Sequence, residues 1–336
     1  MASFIPSLES FAKGTLATAA GLSTLSVGLL WYGQGYLIYP SVFPPGSRTE
    51  VAKPSDHGIP YEELELQTLD GVTLRCYMLQ QSKDIASNPN AIELPEDSDT
   101  SLSEEEFVAS RPTIIMFHGN AGNHGHRIPL AKVFFLRMRC NVLMMCYRGY
   151  GLSEGTPNEQ GLQLDAQAGL DYLWSREAYR LSPVILYGQS IGGAVSIDLV
   201  SKNPDKITAI ILENTFTSLP NLIPHTLPLL RPFAFLCHQK WDSMSKVPKI
   251  PSSTPILMLS GLKDEIVPKE QMRALFEAFA KRDEKTTLGG KEYKAGVERT
   301  KYLEFPDGGH NDTCVQDGYW TAVANFIASL SPTPVM

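Results

Sequence analysis

The sequence predicts an α/β fold, with a mostly parallel central sheet, helices on both faces, and one long apolar helix in front. Three observations predict it. Short runs of consecutive apolar residues, such as IIMF, VILY and ILML, recur after residue 112, and strands covered on both faces read that way rather than alternating. Segments with apolar residues at helical spacing separate these runs, the order that a parallel sheet with crossover helices requires. Finally, no charged residue occurs from Gly14 to Ser47. That is long enough for a helix across a bilayer core, which takes about 20 residues.

In chain order, residues 1–13 form a tail and 14–39 a transmembrane anchor. Trp31, Tyr32, Tyr36 and Tyr39 cluster at its far end, as interfacial aromatics do. A cleaved signal would be followed by polar chain, but aromatic, apolar sequence follows here. Lys13 before the span and Arg48 and Lys53 after it leave its orientation open. A Pro/Gly-rich connector, 40–60, leads to one domain over 61–332. YEELELQTL and VTLRCYML flank Asp70-Gly71 and read as an antiparallel hairpin at a sheet edge. Residues 83–111 hold eight acids and no basic residue between Asp84 and Ser110. Poor in aromatics, that stretch is expected to be a disordered surface insertion.

From there TIIMF, CNVLMM, PVILYG, ITAIILEN, PILMLSG and KYLEF read as strands. HRIPLAKVFFLRMR, residues 158–177, IGGAVSIDLVSKN, KEQMRALFEAFAK and VQDGYWTAVANFIASL read as helices. Two connections are long. Residues 216–250, rich in Pro, Leu and aromatics, have the length of a lid. Residues 281–301 read as a solvated surface loop.

Composition narrows the classes. The net charge is −7 over 336 residues, and the acidic stretch accounts for it, so nothing points to a nucleic-acid partner. The five cysteines, at 76, 140, 146, 237 and 314, are odd in number and form no CxxC pair. This argues against a disulfide framework or a zinc site.

In open α/β sheets ligands sit beyond the carboxyl ends of the strands, and three complementary residues fall at such ends. Ser190 follows PVILYG, Asp264 follows PILMLSG, and His310 follows KYLEF. Ser, Asp, His is the chain order of α/β-hydrolases. A serine hydroxyl is a poor nucleophile until a neutral imidazole can take its proton. A carboxylate holds the imidazole in the right tautomer and stabilises the imidazolium. Gly188 and Gly192 permit a sharp elbow around Ser190, and Gly193 lets the following helix approach the sheet. The Ile191 N–H, at the helix start, and the Asn120 N–H, in the loop after TIIMF, are the expected oxyanion donors. Asp307 competes with Asp264 as the acid. His118 reads as a structural turn residue, His124 and His126 as a solvated helix start, and His225 and His238 as lid surface. This chemistry needs no metal and no organic cofactor.

HGNAGN, YRGYGLSEG, GQSIGGAVSIDL, ILENTF, SGLKDEIVP and FPDGGHNDT together resemble the bud-emergence family of eukaryotic α/β-hydrolases, over roughly residues 20–330. The resemblance implies an α/β-hydrolase fold with Ser190 as nucleophile and Asp264 and His310 completing the triad. It also implies a one-pass membrane protein of signal-anchor type, in the endoplasmic reticulum or another endomembrane, or the plasma membrane. Related palmitoyl-removing hydrolases carry an N-terminal cysteine cluster, whereas this chain has no cysteine before Cys76. Leu219, Leu222, Ile223, Leu227, Leu229, Leu230, Phe233 and Phe235 would form an apolar wall or a membrane-facing patch. With the anchor, they point to a long-chain acyl ester or thioester at the bilayer surface. A palmitoyl-protein thioesterase, an acyl transferase and a non-catalytic membrane-tethered scaffold are the alternatives. Asn311-Asp312-Thr313 is a glycosylation sequon beside His310. A glycan there would crowd the site and favours a cytosolic domain, whereas the family analogy favours a lumenal or external one.

Overall fold

A computed structural model describes residues 8–86, 102–282, 287–288, 291–292 and 299–330. Its main sheet comprises β1 (Glu62–Gln67), β2 (Thr73–Leu79), β3 (Thr113–Phe117), β4 (Asn141–Met144), β5 (Val184–Gln189), β6 (Ala209–Glu213), β7 (Ile256–Gly261) and β8 (Thr300–Phe305). The spatial order is β1-β2-β4-β3-β5-β6-β7-β8. From β4 to β8 all pairings are parallel, while β2 is antiparallel to both β1 and β4.

Every residue of β3 to β7 is buried, which explains their unbroken apolar runs. The edge strand β1 alternates instead, burying Leu64 and Leu66 while its glutamates face out; outward charge also protects an edge from pairing with other chains. Leu162, Leu170, Val195, Leu199, Leu275 and Phe279, on helices Glu159–Trp174, Ile191–Lys202 and Lys269–Ala280, cover one face. Phe134 and Phe135, with Val323 and Phe326 of helix Tyr319–Ala328, cover the other.

Two expectations need correction. The stretch 83–111 does not run as unstructured chain throughout. Residues Glu104–Ser110 form a helix that buries Phe107 and Val108. Ser103 caps it: the Glu106 N–H donates to Ser103 Oγ at 3.2 Å, and the Ser103 N–H donates to Glu106 Oε2 at 2.7 Å. Three of the acids that suggested disorder, Glu104, Glu105 and Glu106, stand in its first turn, where negative charge is favourable. Arg111 is buried over the Phe107 ring. Residues 87–101 lie outside the described part. Nor is 281–301 uniformly a solvated loop. Arg282 is buried, donating to the Pro251 and Thr254 carbonyls at 2.7 and 3.2 Å. Thr287–Leu288 pairs with Lys291–Glu292, and β8 already begins at Thr300. The rest of that loop lies outside the described residues.

The N-terminal helix runs Leu8–Ile38, and its Phe11–Ile38 part is long and apolar enough to cross a membrane. Every side chain from Phe11 to Val27 is exposed, whereas Gln34 and Tyr39 are buried against the domain. Residues 216–250 carry helix Leu219–Thr226 and a 3-10 run, Pro228–Leu236, before the chain returns to β7.

Candidate active site

Ser190 stands between the end of β5 and the helix Ile191–Lys202, with φ 55° and ψ −120°. The elbow's left-handed φ thus falls on the serine itself, a strained geometry of the kind that nucleophile elbows use. The flanking glycines are needed for closeness rather than for φ. A Cβ on Gly192 would lie 2.2 Å from the Phe117 carbonyl oxygen, and one on Gly188 2.3 Å from that of Gly192. Gly193 similarly abuts Thr215, 2.6 Å from where its Cβ would be.

His310 Nδ1 lies 2.8 Å from Asp264 Oδ2. The other carboxylate oxygen, Asp264 Oδ1, accepts the Ile266 and Val267 N–H groups at 2.8 and 2.7 Å. The acid's orientation is therefore fixed by its own loop. Asp307 faces solvent and pairs with Lys263 at 2.5 Å, so of the two candidates Asp264 is the carboxylate that meets the His310 ring. Ser190 and His310 are buried and line one cavity of about 340 Å³, together with Gly119, Asn120 and Ile191.

Sequence reasoning missed Asn214, although the motif ILENTF contains it. Its Nδ2 donates to the Gly309 and His310 carbonyls at 3.1 and 3.2 Å and to Thr313 Oγ1 at 3.0 Å. Its Oδ1 accepts the Gly261 N–H at 2.8 Å. One side chain so links the end of β6 to the end of β7 and the histidine loop. The neighbouring Thr215 Oγ1 donates to the Ser190 carbonyl at 2.7 Å. The Glu213 carbonyl accepts the Ser190 N–H at 2.9 Å. Glu213's carboxyl is fully buried beneath, taking hydrogen bonds from Tyr187 and Tyr319 at 2.5 and 2.6 Å; burial raises its pKa.

The loop after β3 is held from two sides. Tyr150 donates to Asn120 O and Oδ1 at 2.9 and 3.0 Å, and Tyr147 donates to the His118 carbonyl at 3.0 Å. This accounts for both tyrosines of YRGYG. The Asn120 side chain in turn donates to the Ile38 carbonyl, the end of the N-terminal helix. With that side chain occupied, the backbone amide is the group Asn120 has left to offer the cavity.

His118 is buried but does not line the cavity; its Nδ1 meets the Gly119 carbonyl at 2.7 Å. His124 corrects the expectation of a solvated helix start. It is buried against Tyr77, ring centroids 4.3 Å apart, and burial pushes its pKa down to about 3. His126 and His225 are exposed. His238, although exposed, approaches Gln34 Nε2 at 2.6 Å and packs on Trp31. Among the described residues no cluster of three or more His, Cys, Asp or Glu is placed to hold a metal ion.

Much of the remaining cavity wall is apolar, with Leu37, Ile38, Phe216, Leu219, Leu222 and Ile223, while Arg127, Gln189 and Thr226 add polar groups to it. The lid residues divide in two. Leu219 and Leu222 turn inward, whereas Leu229 and Phe235 are 92 and 74% exposed. Asn311 of the sequon is exposed and lines the cavity beside His310, so a glycan there would stand at the site.

The α/β hydrolase fold family matches residues 112–241. Protein bem46 of Schizosaccharomyces pombe is 41% identical over 311 residues, covering 91% of this chain and 90% of that protein. The Saccharomyces cerevisiae protein YNL320W, named an uncharacterized membrane protein, is 36% identical and covers 94% and 96%. WAV2 of Arabidopsis thaliana, an α/β hydrolase domain-containing protein, is 33% identical and covers 93% of each chain. Among solved structures, a Pyrococcus furiosus esterase superposes with a TM-score of 0.60 at 17% identity, covering 84% of this chain and 96% of its own. A strained serine elbow, an Asp–His pair on later strand ends and relatives matching nearly end to end agree: the chain belongs to the bud-emergence (bem46) family of α/β-hydrolase proteins.

Proposed function

We propose that this protein is a membrane-anchored serine hydrolase that cleaves a lipophilic carboxylic ester or thioester through an acyl-enzyme on Ser190. The 2.8 Å contact between His310 Nδ1 and Asp264 is the observation that carries this reading. It leaves Nε2 of the ring as the base for a serine in the same cavity. Ser190 Oγ attacks the acyl carbonyl carbon while its proton passes to His310 Nε2. The Asn120 and Ile191 N–H groups receive the developing oxyanion. Collapse breaks the bond to the leaving alcohol or thiol, which takes the proton from His310. Water, deprotonated by the same histidine, then releases the carboxylic acid and restores Ser190.

The apolar helix and the apolar cavity wall support a substrate drawn from a membrane. An endomembrane or plasma-membrane location suits such an anchor. The narrower reading, a palmitoyl-protein thioesterase, would require S-acylated peptides to turn over faster than oxygen esters. The test is labelling of the full-length protein in membranes by a fluorophosphonate. Wild type should label, and Ser190→Ala and His310→Ala should not. A folded wild type that takes no label sinks the hydrolase reading in favour of a scaffold.

A further inference from the structure

The catalytic cavity does not account for all the apolar surface between the N-terminal helix and the lid. A second, smaller hollow of about 70 Å³ lies alongside, walled on one side by Leu30 and Gln34 and on the other by Leu230, Phe233 and Leu236. It shares four wall residues with the Ser190 cavity: Leu37, Ile38, Ile223 and Leu227. Its polar wall residue, Gln34, is already engaged. Gln34 Nε2 meets the Trp31 carbonyl at 3.1 Å and His238 Nδ1 at 2.6 Å, and Oε1 accepts the His238 N–H at 3.0 Å. The hollow therefore offers hydrocarbon contact and asks for none of the hydrogen bonds that a peptide or sugar would need to replace on leaving water.

Its height on the helix is the second observation. The fully exposed stretch Phe11–Val27 spans about 25 Å at 1.5 Å per residue, close to the roughly 30 Å of a hydrocarbon core. The hollow begins at Leu30, one turn further along. Trp31, Tyr32 and Tyr36 stand exposed at the same level, where interfacial aromatics belong. The 3-10 run that supplies Leu230 and Phe233 to the hollow turns Leu229 and Phe235 outward. Ser190 and His310 themselves are each only 6% exposed.

We propose that this hollow is an acyl-tail channel at the bilayer interface, through which a long-chain ester lipid passes its tail from the membrane between helix and lid while its carbonyl reaches Ser190. The N-terminal helix is then part of the substrate site as well as an anchor. This rests on the hydrolase reading above and adds to it the chemical class of substrate, a membrane-resident lipid ester with a long acyl chain.

The test uses the full-length protein in phosphatidylcholine vesicles, with monobutyrin and monopalmitin as substrates and fluorophosphonate labelling as the measure of an intact elbow. Leu230→Trp and Leu30→Trp each place an indole in the hollow, away from Ser190. The channel predicts that the ratio of C16 to C4 turnover falls at least tenfold in both variants while they still label. An unchanged ratio in labelled variants overturns the channel, as does a wild type that cleaves monobutyrin but not monopalmitin. A palmitoyl-cysteine peptide turned over faster than monopalmitin, and indifferent to the tryptophans, overturns the hollow as the route of the acyl tail. A wild type that neither labels nor cleaves either ester overturns the hydrolase reading beneath the channel as well.

Discussion

On the sheet side of the cavity, Asn214 and Thr215 hold Ser190 and the His310 loop by hydrogen bonds from the end of β6. On the side facing them, Leu37, Ile38, Leu222 and Ile223 present hydrocarbon from the N-terminal helix and the lid. The two walls separate two tasks. Polar clamps between strand ends fix geometry, as the proposed proton transfer between Ser190 and His310 would demand. Non-directional apolar contact tolerates small displacements, as accommodating a flexible tail demands. Changes on the first wall should therefore act on kcat, and changes on the second on substrate choice.

Asp264→Asn should give the largest effect. The amide can still occupy the place 2.8 Å from His310 Nδ1, but it favours the wrong tautomer and cannot stabilise the imidazolium. A loss of about 10⁴-fold in kcat is expected, with the thermal midpoint nearly unchanged. A loss under tenfold would mean that another carboxylate takes its place, and the division between the walls would blur.

Asn214→Ala should come next. The backbone there has φ 44°, which asparagine tolerates better than alanine, so Asn214→Gly separates backbone strain from the lost side chain. Both variants release the His310 loop, and both should lose on the order of 10²-fold in kcat, the scale of a misplacement of about 1 Å. KM for a long-chain ester should hardly move. If the glycine variant retains full activity, the clamp is ornamental and His310 is positioned by Asp264, Glu265 and Gln189 without it.

The two walls also differ in how far the sequence reveals them. Ser190, Asp264 and His310 stand one, three and five residues beyond the ends of β5, β7 and β8, so strand ends and chain order locate them without tertiary information. The strands themselves are legible because β3 to β7 are buried on both faces and keep their polar residues, Thr113, Asn141, Gln189, Glu213 and Ser260, at or next to the strand ends, outside the apolar run. The helix at Glu104–Ser110 escaped because acid content weighed more than the Ser103/Glu106 cap and the Phe-Val pair behind it. The docking of the N-terminal helix escaped for another reason: the partners of Gln34 and Tyr39 lie 200 and more positions away, beyond the reach of periodicity or spacing. A lone glutamine in an apolar span was the one available signal.

Tyr39→Phe tests the weaker side of the comparison. Tyr39 is buried where the helix meets the domain, donating to Gln239 Oε1 at 3.0 Å and accepting the Trp241 indole N–H at 2.8 Å. Trp241 is fully buried, so removing the hydroxyl leaves its N–H without that acceptor in a place water does not readily reach. An unpaired buried donor costs about 1–3 kcal/mol, which should appear as a lower thermal midpoint in detergent. The chemistry should survive, because neither Ser190 nor His310 contacts this pair. The expected result is a less stable protein with near-normal turnover of a short-chain ester and a smaller preference for long chains, since the helix supplies Leu37 and Ile38 to the cavity. If short-chain kcat fell as far as the long-chain rate, the apolar wall would be positioning the catalytic groups too, through the Asn120–Ile38 contact. Helix and elbow would then act as one unit.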